Sequence, residues 1–207
     1  MVDSGLLHGA AVPPVVLASI SMSRRMLLEG AGIDFTATAP DVDEAAVKAE
    51  FADADAASLA GILADRKALA VSARVPGALV IGGDSTLACE GRLFDKPVDV
   101  AAACEQLRSL RGRVHELLSA VSVARNGIVE WRHVASAHLT MRSFSDEFLA
   151  RYAALSGDAL TTSVGAYRLE GLGAQLFERI EGDYFTILGL PLLPLLGWLR
   201  TAGVLRS

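Results

Sequence analysis

The stretch "VHELLSAVSVARNGIVEWRHVASAHLTM", Val114 to Met141, limits the possible folds more than any other part of the chain. Polar and apolar residues alternate well enough for two long strands, and Asn126-Gly127 between them accepts the positive φ angles of a type I′ turn. A long antiparallel hairpin is therefore expected. Shorter apolar runs, Val15–Ala18 and Ala78–Ile81, read as buried strands separated by helical patterns, which calls for crossover connections as well. Hairpins and crossovers together predict an α/β protein with a mixed twisted sheet, flanking helices and two lobes around a central cleft. The 207 residues are expected to form a flexible tail over 1–14, ending at Pro13-Pro14, and a single domain over 15–207.

Around this frame the helices announce themselves. In "VVLASISMSRRMLLEGAGI" a buried strand gives way to cap-type serines, Ser19, Ser21 and Ser23, then to a helix that Gly30 and Gly32 punctuate. Arg24 and Arg25 fall in its first turn, where the helix dipole disfavours cations. That placement becomes reasonable if an anion shares the spot. "AEFADADAASLAGILADRKALAV" favours helix, with Leu59, Ile62, Leu63 and Ala70 as an apolar face that Lys67 shares. Lys67 either snorkels to the surface or ends in a cleft against an anion. "LFDKPVDVAAACEQLRSLRG" gives a turn at Lys96-Pro97 and an amphipathic helix closed by Gly112. A helix capped by Ser145 follows. A further hairpin is expected near Glu181-Gly182-Asp183, and an apolar helix over 191–199 in the core.

Composition removes several function classes. A net charge of −5 argues against general nucleic-acid binding. The first residues lack the basic flank and apolar core of a signal peptide. The charge-free run from Tyr184 to Leu199 is broken by Gly189, Pro191 and Pro194, and falls short of a membrane span. Cys89 and Cys104 lack metal-site spacing and fit reduced thiols of a cytoplasmic protein. His115 reads as a packed or edge strand residue, not a metal ligand. No Walker A, GxGxxG, HExxH or GxSxG motif occurs.

What remains is a set of cations near element ends, Arg24, Arg25, Lys67 and Lys96, with carboxylates at comparable positions, Asp41, Asp43, Glu44, Asp84 and Glu170. Cations form short charge-assisted bonds with phosphate oxygens. Carboxylates hold Mg²⁺ or deprotonate water. The combination points to metal-assisted attack on a polyphosphate. Each member also has an ordinary reading. Asp84 can be a turn residue after two glycines. Glu44 can be the N3 residue of a helix capped by Asp41, and Lys96-Pro97 a surface turn.

The ordered segments "LASISMSRRMLL", "APDVDE", "DRKAL", "GGDSTL", "DKP", "LRGRVHELLSAV" and "VGAYRLEGLGAQLFERIEGDYFTILGLPL" resemble the Maf family, nucleoside triphosphate pyrophosphatases also described as septum-formation inhibitors. The likeness runs from about Val15 to Leu205 and implies an ITPase/Maf-like fold. It implies that Ser19 and Arg24 hold the triphosphate, with Arg25 in support, and that Lys67 and Lys96 neutralise phosphate charge. Asp84 is implied as proton acceptor and metal partner, and Glu44 as metal ligand or water-orienting group. The implied cofactor is Mg²⁺ or Mn²⁺, the reaction NTP and water to NMP and pyrophosphate, and the setting a cytoplasmic, house-cleaning one. A homodimer is expected because the family often forms one. The competing reading is a nucleotide-sensing regulator of septation that works through a protein partner.

Ser23, Ser85 and Glu170 stand at the family's specificity positions. A branch preferring dTTP and UTP reads Arg, Thr and Gln there, and a branch preferring 7-methyl-GTP reads Trp, Gln and Glu. Glu170 and "LFERIEG" resemble the second branch, Ser85 is nearer the Thr of the first, and Ser23 matches neither. Ser163-Val164 replaces the Asp-Lys of the first branch. A buried carboxylate at Glu170 would accept two donors from a guanine edge, while Ser23 lacks a stacking surface for a methylated purine. The balance inclines to a purine or modified purine.

Overall fold

The computed structural model describes residues 12–206, so most of the tail expected at 1–14 lies outside the described residues. Strand β1 (Val15–Ala18) is buried along its whole length. It pairs in parallel with β2 (Thr36–Ala37) and with β3 (Leu79–Cys89), Val15 opposite Leu79 and Ala18 opposite Gly82. Parallel neighbours need crossovers. Helix α1 (Met22–Gly30) links β1 to β2, and α2 (Glu44–Glu50) with α3 (Ala56–Ser72) precedes β3. Strand β4 (Arg92–Phe94) folds back antiparallel on β3, and α4 (Val100–Leu110) follows. The long hairpin is present as β5 (Val114–Arg125) and β6 (Ile128–Met141), with Asn126 at φ 51° and Gly127 at φ 77° as a type I′ turn demands.

Then come α5 (Asp146–Ser156), capped by Ser145 Oγ on Phe148 N, and α6 (Ala159–Thr162). Two 3-10 turns, Val164–Ala166 and Leu172–Leu176, lead into β7 (Phe177–Glu181). The last helices are α7 (Tyr184–Ile187) and α8 (Leu192–Thr201). The seven strands form one mixed sheet in the order β2-β1-β3-β5-β6-β7, with β4 branching from β3. The α/β expectation holds.

Two local expectations fail for physical reasons. No hairpin forms at Glu181-Gly182-Asp183. β7 pairs back onto β6, Ile180 opposite Leu139, and the Asp183 carboxylate accepts from Thr186 N and Oγ1, which starts a helix instead. The strand read over Ala78–Ile81 does not stop before the glycines. β3 runs through Gly82, Gly83 and Asp84 to Cys89.

The chain divides into two compact units, residues 12–84, 119–135 and 189–206 in the first, and 85–118 with 136–188 in the second. In the first, α3 lies on the sheet through its small residues. Ala60 and Ala64 meet Ala120, and a Cβ on Gly82 would collide with the Ala64 carbonyl and fall 2.6 Å from Ala68 N. Neither Gly82 nor Gly83 has a positive φ. Here glycine supplies space, not a turn. The buried face of α3 is Leu59, Ala60, Leu63, Ala64, Lys67, Ala68 and Val71, so Ala70 belongs outside the stripe read from the sequence. Leu192, Leu195 and Leu199 of α8 are buried at helical spacing, which confirms the apolar helix as core.

In the second unit α4, α5, β6 and the 3-10 turns enclose one apolar core that includes Leu107, Leu139, Met141, Leu149 and Tyr167. Among the described residues no helix is long and apolar enough to cross a membrane.

Candidate active site

Ser21 caps α1, its Oγ accepting from Arg24 N, and the first turn carries no acidic residue. Met22 begins the helix, so Arg24 and Arg25 do occupy its start. Their environments differ. Arg25 is exposed, whereas Arg24 is half-buried and turned inward. Its Nε donates to the Gly189 carbonyl at 2.8 Å, and Nη1 makes a long contact of 3.5 Å with Ser19 Oγ. Ser19 is itself buried and accepts from Ser21 N. Burial lowers the Arg24 pKa, and the Asp84 and Glu44 carboxylates oppose that shift. An arginine does not deprotonate under such pressure. The shift marks a partly desolvated cation held near two anions.

Lys67 is 5% exposed, so it does not snorkel. Its ammonium lies 2.5 Å from Asp84 Oδ1 and 2.7 Å from Glu44 Oε1. A buried lysine is tolerated when paired in this way. Asp84 is 7% exposed in the middle of β3, which overturns its reading as a turn residue. Glu44 is the first residue of α2, and the cap is Asp43, whose Oδ1 accepts from Ala46 N at 3.0 Å. Asp41 does not cap α2. It stands at φ 50° and pairs with Arg74 at 2.5 Å. The Glu44 side chain is 42% exposed, so its half of the pair is the more hydrated.

Successive residues of a strand face opposite sides. Gly82 and Asp84 share the side on which α3 rests, and Gly83 faces the side where Arg24 lies, with Arg24 Nε 3.1 Å from where its Cβ would be. The two glycines thus admit a helix backbone on one face and a guanidinium on the other. No local signal in "GGDS" distinguishes this from a turn. The Gly189 carbonyl, 165 residues from Arg24, is equally out of reach of sequence reading.

The first unit therefore brings together Ser19, Arg24, Glu44, Lys67 and Asp84, with Ser23 half-buried on α1 and Arg25 outside. Lys96, Ser85 and Glu170 belong to the second unit. Lys96 is exposed and lines a groove of about 570 Å³ with Arg92, Phe94, Asp95 and Gln106. Ser85 is half-buried. Glu170 is exposed in the turn between the two 3-10 segments, not buried as the guanine-edge argument requires.

That turn is anchored from below. His115 is 1% exposed and its Nε2 lies 2.8 Å from Tyr167 Oη, while Tyr152 Oη donates to the carbonyl of Ala166, a residue held at φ 59°. Burial pulls His115 down to about 4 and raises Tyr167. His115 Nδ1 is buried with no hydrogen-bond partner among the described residues. A neutral ring that donates from Nε2 to Tyr167 leaves only a lone pair unsatisfied, the cheaper arrangement. This is the packed histidine expected from the sequence.

A family model for Maf-like proteins matches residues 14–202. The chain belongs to this family. It is 52% identical over 195 residues to a 7-methyl-GTP pyrophosphatase of Rhizobium etli, covering 93% of this chain and 98% of that one. It is also 52% identical over 197 residues to a nucleoside triphosphate pyrophosphatase of Bradyrhizobium diazoefficiens, covering 95% and 96%. Among solved structures it is similar to a HAM1 protein from Coxiella burnetii, with a TM-score of 0.40 and 17% identity, covering 63% of this chain and 73% of that one. Maf-like relatives at the same identity thus carry names of different substrate scope.

Proposed function

We propose that this Maf-like chain is a nucleoside triphosphate pyrophosphatase that converts an NTP and water into an NMP and pyrophosphate. The observation that carries the reading is Lys67, a buried ammonium joined to carboxylates from two other elements, Asp84 and Glu44, beside the inward-turned Arg24. Two cations set near two carboxylates in this way suit an anion with many oxygens. The pyrophosphatase names of the relatives support catalysis over nucleotide sensing in septation.

In this reading Arg24, Ser19 and the N-terminal N–H groups of α1 bind the triphosphate, and Arg25 adds charge at the edge. Lys67 and Lys96 offset charge on the phosphate oxygens, the main burden in phosphoryl transfer. The water oxygen bonds to the α-phosphorus, the bond to the oxygen bridging the α- and β-phosphates breaks, and pyrophosphate leaves with that oxygen. The water proton passes to an Asp84 oxygen. Glu44 orients the water.

The set is charge-balanced, with Arg24 and Lys67 against Glu44 and Asp84, so a polyanion entering it calls for more positive charge. Among the described residues no group of three or more His, Cys, Asp or Glu is gathered for a metal ion. Two hard carboxylates completed by substrate phosphates nevertheless fit Mg²⁺ or Mn²⁺. Glu44 and Asp84 would hold it, and a bound cation polarises phosphoryl oxygens. Ser23, Ser85 and Glu170 are assigned to base selection; with Glu170 exposed, the purine or modified-purine preference is supported by the 7-methyl-GTP name of the Rhizobium etli relative and not by a buried carboxylate.

Pyrophosphate release from a panel of GTP, 7-methyl-GTP, UTP and dTTP, with Mg²⁺ or Mn²⁺, tests the proposal. Turnover of at least one nucleotide is expected, and Asp84→Asn should lower it at least about 100-fold, the scale of lost acid–base help, while remaining folded by circular dichroism. No turnover of any nucleotide, with binding retained, would sink the enzyme reading.

A further inference from the structure

Arg24 reaches its place through a slot made by two glycines. A Cβ on Gly83 would stand 3.1 Å from Arg24 Nε and 3.4 Å from Arg24 Cδ, so the missing side chain is what lets the arginine lie along β3. On another side Arg24 Nε donates to Gly189 O at 2.8 Å. Gly189 has φ 97°, a conformation that strains an L side chain. The residues after it are stiff. Leu190 is fully buried and precedes a proline, which biases it to extended backbone, and Pro191 is the N-cap of α8. The direction of the Gly189 carbonyl is therefore set by backbone. A guanidinium is planar and rigid, so the bond at Nε constrains its plane, and the longer contact at Nη1 to Ser19 Oγ adds to that constraint.

We propose that the Gly189 carbonyl is a positioning group for substrate recognition: it holds the plane of Arg24 in the orientation that meets the phosphate chain. The inference rests on the phosphate-binding role given to Arg24 above and extends it to the segment that enters α8. A merely structural tie between that segment and α1 would leave phosphate binding indifferent to the bond.

A double-mutant cycle separates the two. Gly189→Ala, Arg24→Lys and the double variant are measured for binding of inorganic tripolyphosphate by calorimetry and for kcat/KM on the best nucleotide. Lysine keeps the charge but has no planar fork. If Gly189 acts through Arg24, Gly189→Ala weakens tripolyphosphate binding about tenfold in the unaltered protein and less than about twofold in the Arg24→Lys variant. Equal losses in both backgrounds, or no loss in the first, overturn the inference. Should Gly189→Ala fail to fold, Arg24→Lys alone decides: at least about tenfold weaker tripolyphosphate binding is expected despite conserved charge, and unchanged affinity overturns it. Absence of tripolyphosphate binding by the unaltered protein also overturns it. Because the probe needs no turnover, the coupling can stand where pyrophosphate release fails, and the two failures remain distinguishable.

Discussion

The two units bury polar groups in opposite ways. The first keeps the charges of Lys67 and Asp84 out of water as a pair, with the half-exposed Glu44 on the same ammonium and Arg24 close enough to feel both carboxylates. The second buries a neutral pair, His115 with Tyr167, inside an apolar core, and leaves its charged candidates Lys96 and Glu170 exposed. Burial in one unit concentrates charge, and in the other excludes it. The first arrangement costs stability unless every partner is present, which is the usual mark of a reactive site. The second supports the turn that carries Glu170.

This contrast should break most sharply at Lys67. Lys67→Met leaves Asp84 buried without its main partner, and is expected to cost about 3–5 kcal/mol in urea unfolding. Adding Asp84→Leu should recover most of that loss without restoring activity. A lone Lys67→Met variant as stable as the parent would show that the pair is not held out of water.

In the second unit the corresponding test is pH. Folded His115 lies at about 4, below its ordinary 6.5, so the unfolded chain takes up the proton first as pH falls. The contribution of His115 is full above about 6.5 and is lost progressively down to about 4, about 3 kcal/mol in all. His115→Phe should flatten this part of the stability profile, read from urea unfolding between about pH 7.5 and 4.5. An unchanged slope would mean that His115 is not buried neutral.

The smallest effect is expected at the exposed end of that unit. Glu170→Gln should alter preference among nucleotides by about fivefold, the worth of one hydrogen bond, and not lower all rates together. A uniform decline across the panel would assign Glu170 to catalysis or structure instead.

What can be read from the sequence follows how local each cause is. Asn126-Gly127 and the alternation beside it encode the β5–β6 hairpin in neighbouring residues. Ser21 does the same for the start of α1, where the first-turn arginines point to an anion through the helix dipole alone. Lys67 is legible as a lysine on an apolar face, but its partners are not, because Glu44 and Asp84 arrive from other elements. Two misreadings have different causes. Gly82-Gly83 carries turn chemistry but serves tertiary approach to α3 and Arg24, which short-range propensity cannot weigh. Asp183 carries a local signal, a cap for Thr186 three residues on, that competes with a turn in the same residues.

The close fit of α3 on Gly82 has a consequence for how ready the site is. Ala68, the residue that Gly82 admits, follows Lys67 directly, and Asp84 lies two positions beyond Gly82 on the same strand face. The backbone positions from which ammonium and carboxylate extend are therefore set by the direct packing of α3 on β3. Dipoles and charges fixed in advance need no reorganisation at the moment of reaction. A single methyl group at position 82 would undo that preorganisation, though it touches none of the charged groups.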